Sequence, residues 1–293
     1  MATFFGDDLP NSYAGTAAAD QIFGAGGNDT LNGAGDNDTI IGDSGNDSLN
    51  GGLGQNFLFG GEGNDTLNAF DLGIDSLFGG IGNDVYIVST TEVEHQLVEG
   101  VNQGIDSVWS SVRYYLDVNV ENLFLTGLAI IGVGNGLSNL IIGNASSNNL
   151  VGFGGNDTLE GKEGNDFLTG GLNSDRFDFA TALPGAGVDT ISDFLVGTDK
   201  IFLSKGVFSA LETIPLAGNV LGVGDFASIN VAAELEVVEA VNNPNEIVYN
   251  RQTGSLFYNA NDAVAGFGTG GGKFATLRDS PDTLSNTAFT VTV

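Results

Sequence analysis

A nine-residue unit recurs thirteen times in this chain of 293 residues. Residues 24–32 read GAGGNDTLN, residues 42–50 read GDSGNDSLN, and residues 60–68 read GGEGNDTLN. A run of eight units spans residues 15–87, and a run of five spans residues 134–178. A unit this short cannot bury its own apolar face, so it must stack on its neighbours, and a fixed short period therefore predicts a solenoid. With Gly24 as position one, position six is Asp20, Asp29, Asp38, Asp47, Asn56, Asp65, Asp75 and Asp84 in the first run. In the second run it is Asn139, Asn148, Asp157, Asp166 and Asp175. Position eight is apolar in every unit, from Ile22 and Leu31 through Tyr86 to Leu168 and Phe177.

Positions seven to nine suit a very short strand, whose alternation sends only the middle, apolar residue inward. Positions one to six carry turn chemistry, because glycine takes positive φ at no steric cost and Asn and Asp bond their own backbone. Two units then make one flattened coil, and the turns of units n and n+2 lie above one another. Their carboxylates form ladders that repel unless a hard divalent cation sits between them. A shell of carboxylate and carbonyl oxygens suits Ca²⁺ better than Mg²⁺. One side predicts an unbroken ladder of Asp29, Asp47, Asp65 and Asp84. On the other, Asp20 and Asp38 pair, and Asn56 interrupts before Asp75. In the second run Asp157 stacks on Asp175, while Asp166 faces Asn148. Adjacent pairs amount to roughly four to seven ions, the Asn-containing pairs being weaker because they contribute less ligand charge. Residues 69–78 hold one residue more than the unit, which predicts a bulge.

The charge distribution fits this reading. The net charge is −29, no Lys or Arg precedes Arg113, and seventeen Asp and Glu fall before it. Such a segment resists compaction unless counter-ions bind, and an acidic surface excludes nucleic acid as a partner. Regular apolar positions set it apart from a disordered acidic tail. The 46 glycines have no three-residue period, which excludes collagen. Cysteine is absent, so disulfides, thiolate metal sites and cysteine nucleophiles are excluded. The start, MATFFGDDLP, lacks the basic and apolar regions of a Sec signal peptide. No run of about 18 apolar residues predicts a transmembrane segment.

The unit resembles the repeats-in-toxin (RTX) nonapeptide, G-G-x-G-x-D-x-U-x, of haemolysin-type calcium-binding proteins exported by type I secretion. Residues 79–87, GGIGNDVYI, resemble the tyrosine-bearing last repeat of such blocks. Residues 189–204, DTISDFLVGTDKIFLS, resemble the segment that follows the last repeat in serralysin-type proteases. Residues 245–277 and the final FTVTV resemble the C-terminal ends of exported members. The resemblance implies a parallel β-roll that is unfolded at low cytosolic calcium, leaves through an ATP-driven channel on an uncleaved C-terminal signal, and folds in extracellular calcium. It implies ligands from the position-six Asp side chains and from turn carbonyls at positions two and four. Position two is Ala25, Asp43, Gly61, Phe153 and Lys162; position four is Gly27, Gly45, Gly63, Gly82, Gly155 and Gly164. The chain departs from the pattern at Asn56, Asn139 and Asn148, and at residues 259–262, NAND, where relatives carry a more acidic, glycine-containing loop.

The expected organisation is an all-β chain: a lead-in at 1–14, repeat block one at 15–87, a β spacer continuing the solenoid at 88–133, block two at 134–178, and a C-terminal β cap at 179–293 that also carries the secretion signal. Within the spacer VYIV, QLVE, SVWSSV and NLFL read as strands, and the sole tryptophan, Trp109, reads as core or inter-sheet packing. Residues 246–259 read as a hairpin, and residues 232–240 fit either a helix or a strand. An HExxH helix and a G-x-S-x-G elbow are both absent, and the single histidine, His95, reads as surface or structural. A non-enzyme is therefore expected: a secreted calcium-binding structural or interaction protein of the cell surface or extracellular matrix, with polysaccharide or other matrix components as partners. The alternatives are a small secreted enzyme or carbohydrate-modifying protein, which rests on analogy alone, and a toxin, for which no pore-forming stretch is visible.

Overall fold

The computed structural model describes residues 1–70, 73–89, 95–182, 187–211, 213–214, 220–221, 225–231, 245–260 and 271–292. It divides into two compact units, residues 1–129 and 130–293. The described residues hold no α-helix, and no helix is long and apolar enough to cross a membrane. The ambiguous segment 232–240 lies outside the described residues, as do residues 261–262 of the NAND loop.

In the first unit two parallel sheets face each other across a core one side chain thick. Sheet one stacks Thr3–Phe5, Gln21–Gly26, Thr39–Ser44, Phe57–Glu62, Ser76–Ile81 and Gln96–Val98. Sheet two stacks Ser12–Ala14, Thr30–Asn32, Ser48–Asn50, Thr66–Ala69, Val85–Val88, Ser107–Ser110 and Asn122–Leu125. Successive strands of the chain alternate between the sheets, so two units make one coil. Thr30 pairs with Ser48 and Ser48 with Thr66, each in parallel register. Across residues 69–78 the register gains one residue, Phe57 pairing with Ser76 and Val85 with Thr66. The bulge expected there involves residues 71–72, which lie outside the described residues.

Position eight fills the core. Ile22, Leu31, Ile40, Leu49, Leu58, Leu67, Leu77 and Tyr86 are all buried. The repeat leaves no room between coils for anything else, because strands in a sheet lie about 4.8 Å apart.

Three features differ from the sequence reading. Strands of sheet one run six residues rather than three, through the glycines of the next unit, as in Gln21–Gly26. Position-two residues there keep ladder partners at positive φ: Ala25 (78°) pairs with Asp43 (78°), and Asp43 with Gly61. Residues 1–14 are a full coil rather than a lead-in, with Phe4 stacked on Tyr13 at 4.2 Å across the core. Trp109 is not in the core. Alternation gives the inward place to Val108, and Trp109 lies on the outer face, half exposed, with its ring 5.2 Å from Phe124.

The second unit repeats the architecture. One sheet stacks Ile131–Val133, Asn149–Gly154, Phe167–Leu172 and Asp189–Ile191 in parallel. The other stacks Leu140–Ile142, Thr158–Glu160, Arg176–Phe179 and Lys200–Ser204. The repeat sheets then continue into the cap. Gly272–Leu277 joins Asp189–Ile191 in parallel, and the antiparallel hairpin of Ile247–Asn250 and Ser255–Tyr258 follows beside it. Phe289–Thr292 covers Lys200–Ser204 in parallel, so both sheets of the solenoid end are closed and their edges are not left to aggregate.

Leu49, fully buried at mid-block, tests how far the core depends on single inward residues. Leu49→Ala is expected to cost about 2–5 kcal/mol in calcium-saturated protein, read from denaturant midpoints, because strands on both sides prevent collapse of the cavity.

Candidate metal centre

Each position-six side chain precedes a strand, with the residue two further on pointing into the core. That placement turns the carboxylate inward and toward the neighbouring coil. Oδ1 accepts the backbone N–H of the position-six residue one coil earlier. Asp29 N–H donates to Asp47 at 2.7 Å, Asp47 N–H to Asp65 at 2.7 Å, and Asp65 N–H to Asp84 at 2.7 Å. The other side runs from Asp20 through Asp38 and Asn56 to Asp75. In the second unit the ladders run from Asn139 through Asp157 to Asp175, and from Asn148 to Asp166.

The second oxygen is different. In Asp29, Asp38, Asp47, Asp65, Asp84, Asp157, Asp166 and Asp175, Oδ2 is buried and meets no hydrogen-bond donor. A buried charge without a partner costs several kcal/mol. Backbone carbonyl oxygens lie close to several of them. The place a side chain would occupy at Gly24 is taken by Asp29 Oδ2 and the carbonyl of Gly42 one coil on. The same pairing recurs at Gly42 with Asp47 and Gly60, and at Gly152 with Asp157 and Gly170. Position one of these units must therefore be glycine.

Positions two and four have the backbone geometry of a carbonyl cradle. Ala25, Asp43, Gly61, Phe153 and Lys162 at position two have φ of 78°, 78°, 120°, 82° and 72°. Gly27, Gly45, Gly63, Gly82, Gly155 and Gly164 at position four all have φ between 93° and 146°. Their carbonyls point along the stack, so a side chain at Gly45 would strike the carbonyl of Gly27, and one at Gly61 that of Asp43. Non-glycine residues take this strain mostly at position two, and at position four only as Asp36 and Asn173 among the described residues of the repeats.

Asn56 shows what the cradle asks for. Its Nδ2 donates to the position-two carbonyl of Gly52 at 3.3 Å and to Asp75 Oδ1 at 3.0 Å. An amide hydrogen there bridges a carbonyl and a neighbouring carboxylate, the task that a cation would perform in an Asp coil. Asn139 and Asn148 instead accept N–H bonds from position two of their own units, Asn135 and Asn144, each at 2.8 Å.

Burial sets the electrostatics. Desolvation pushes Asp38 up to about 6 and Asp65 up to about 7, with adjacent ladder carboxylates adding to the rise. Burial likewise lifts Asp157 to about 7 and Asp175 to about 6. At the start of the stack the backbone N–H of Ala2 bonds to Asp20 and lowers it.

Several ladder members escape the nonapeptide pattern. Asp106 accepts the N–H of Asp84 at 2.8 Å, and Glu121 accepts that of Asp106 at 2.8 Å. Asp189 and Asp199 accept from Asp166 and Asp175, both at 3.0 Å. Their turns lack the position-one glycine, although Gly104, Gly187 and Gly197 keep the position-four one before Asp106, Asp189 and Asp199. Each keeps a simpler signature, an acid two residues before an inward apolar side chain: Asp106 with Val108, Glu121 with Leu123, Asp189 with Ile191, Asp199 with Ile201. His95 holds the same place before Leu97. Its side chain is buried, and its Nδ1 accepts the N–H of Asp75 at 3.2 Å, a structural role rather than a surface one.

A parallel β-solenoid with paired, desolvated carboxylate and carbonyl oxygens in successive coils is a calcium-binding β-roll. The family model for the RTX calcium-binding nonapeptide repeat (4 copies) matches residues 5–40, 32–67, 71–87, 133–168 and 151–180. The chain carries RTX calcium-binding nonapeptide repeats. No curated protein matches it.

The raised carboxylate values fix the sign of a pH effect. Without metal, Asp65 binds its proton below about 7 in the fold but only below about 3.8 in the unfolded chain. Between those values the folded state holds more protons, so its stability falls as pH rises. In chelator, the urea midpoint is expected to be highest near pH 4 and to drop steadily toward pH 8. Calcium binding near pH 6 is expected to release protons, measured by calorimetry in buffers of different ionisation enthalpy.

Proposed function

We propose that this is a secreted structural or interaction protein of the cell surface or extracellular matrix, without catalytic activity, that orders when it meets calcium after export. The observation that carries this reading is the row of buried carboxylate oxygens with no donor, most of them in the first 112 residues, which contain no Lys or Arg. In low calcium those carboxylates repel, and the coils carrying them are the least able to close. Bound Ca²⁺ supplies the missing positive charge between facing carboxylate and carbonyl oxygens.

The position-six Asp side chains are the proposed ligands, with the carbonyls of positions one, two and four beside them. Asp106, Asp189 and Asp199 extend the ladders past the repeat blocks. Two further features support a role in recognition rather than chemistry. The side chains of the coils are committed to core, ladder and turn. The outer face of sheet one presents an aromatic and aliphatic stripe, with Phe5 stacked on Phe23 at 5.1 Å and Phe59 on Phe78 at 4.6 Å. The rim of acidic turns beside that stripe suits acidic polysaccharide bridged through calcium. Export by type I secretion machinery fits a chain that stays unfolded until calcium rises.

In chelator at pH 8, where the metal-free fold is weakest, the purified chain is expected to have little β signal in far-UV circular dichroism. Calcium at about 10⁻⁴–10⁻³ M restores it cooperatively with a change in Trp109 fluorescence, and magnesium does not. A calcium-independent β signal would overturn the folding switch. Folded protein retained in the cytosol on cell fractionation would overturn the extracellular role.

A further inference from the structure

The C-terminal end of the first ladder departs from the repeat in a way the nonapeptide pattern does not contain. Val98 pairs with Phe78, which sets Glu99 level with Gly79. In the coils below, that level is occupied by a position-one glycine. The carbonyl of Gly79 lies beside Asp65 Oδ2, as that of Gly60 lies beside Asp47 Oδ2. One coil higher, Asp84 Oδ2 has the side chain of Glu99 beside it instead, together with the hydroxyl of Tyr86.

Tyr86 is the reason Glu99 points inward. It fills position eight, where other coils of the block carry Leu or Ile, and its ring spans the core. Its hydroxyl accepts the N–H of Gly79 at 2.7 Å and donates to Glu99 Oε1. Asp106 completes the group, accepting the N–H of Asp84 through Oδ1. Asp84, Glu99 and Asp106 are 0%, 5% and 1% exposed, and each brings a carboxylate oxygen within 4.8 Å of the other two. Asp84 Oδ2 and Glu99 Oε2 are buried and meet no donor. Burial and the two neighbouring carboxylates push Glu99 up to about 7. Three like charges gathered out of water, with two oxygens unsatisfied, have no account in the packing of the protein alone.

We propose that Asp84, Glu99 and Asp106 form a separate Ca²⁺ site, in which the Glu99 carboxylate replaces the position-one carbonyl of the coils below, and that it is the tightest site of block one. The inference rests on the reading of the ladders as calcium sites. Three carboxylates face one ion here, against two in an Asp pair, and affinity in all-oxygen sites rises with ligand charge. Tyr86 is a positioning residue that fixes Glu99 through its hydroxyl, as outer partners do for metal ligands elsewhere. The site locks the last coil of the block to the coil carrying Asp106 while the Asp pairs below are still empty. Ordering of the block then starts at its C-terminal end.

Calorimetric titration of the full chain with Ca²⁺ tests this. The wild type is expected to show one binding step about tenfold or more tighter than the rest. Glu99→Gln keeps the shape of the side chain and is expected to abolish that step, with the circular dichroism at saturating calcium unchanged. Glu62→Gln, which removes an exposed acid nearby, leaves the step in place. Uptake of calcium with an identical isotherm in Glu99→Gln overturns this inference and leaves the ladder reading standing. No uptake by the wild type overturns both. Should Glu99→Gln fail to fold, terbium provides the second measurement, in Trp109→Phe protein excited through tyrosine. The first equivalent is expected to give sensitised emission that Tyr86→Phe removes. A first equivalent without that emission overturns the assignment.

Discussion

The structure depends on one side chain performing two tasks with two oxygens. In each Asp coil, Oδ1 holds the backbone N–H of the coil before it, and this bond sets the vertical register of the stack. The same bond drags Oδ2 out of water, to a place where it meets no donor and, in several coils, lies near a backbone carbonyl. A neutral group would satisfy the register and leave no charge behind, and Asn56 does so. The protein nevertheless uses Asp in most coils. The arrangement therefore couples stacking to charge neutralisation: the bond that builds the coil creates the need for a cation. Glycine at position one is the steric counterpart, because any Cβ there would occupy the space of the charged oxygen.

Much of this was legible in the chain. The nine-residue period fixed the coil, the paired stacking of alternate units, and the identity of the inward row from Ile22 to Tyr86. The hairpin at Ile247–Asn250 and Ser255–Tyr258 followed from two β-rich runs around a glycine turn. What stayed hidden depends on pairing rather than composition. Residues 1–14 keep only traces of the repeat, Gly6 at position one and Asn11 at position six, and form a coil with Phe4 and Tyr13 as the two inward side chains. Trp109 was misplaced because size suggested the core, whereas alternation from Asp106 assigns that place to Val108. Asp106, Asp189 and Asp199 were recoverable from the position-four glycine and the acid-x-apolar spacing that the repeat itself uses, once the full nine-residue period is no longer required. Glu99 had no local signal. Its position follows from the register of Val98 on Phe78, and its inward turn from a tyrosine thirteen residues earlier.

The two ladders of the first unit are closed differently. The one that begins at Asp20 has that residue satisfied by protein alone, through the N–H of Ala2 and the N–H and hydroxyl of Thr16. The one that runs from Asp29 reaches Asp84, Glu99 and Asp106, whose carboxylates converge with no donor for two of their oxygens. One ladder thus starts on hydrogen bonds, and the other ends in need of positive charge. In the second unit the ladders end on Asp189 and Asp199 next to the cap, and both oxygens of Asp199 accept backbone N–H bonds, from Asp175 and Leu195.

The amide of Asn56 sets a scale for reading such chains. Exchanging one oxygen for nitrogen at position six converts a coil that needs an ion into one that supplies its own protons. A single codon change of this kind, repeated at different heights, grades a solenoid along its length. Asn56 therefore marks a floor joined to the next without an ion. The Asp coils around it hold no such amide proton. The order of Asp and Asn along the ladder is in that sense a written record of where positive charge has to come from outside.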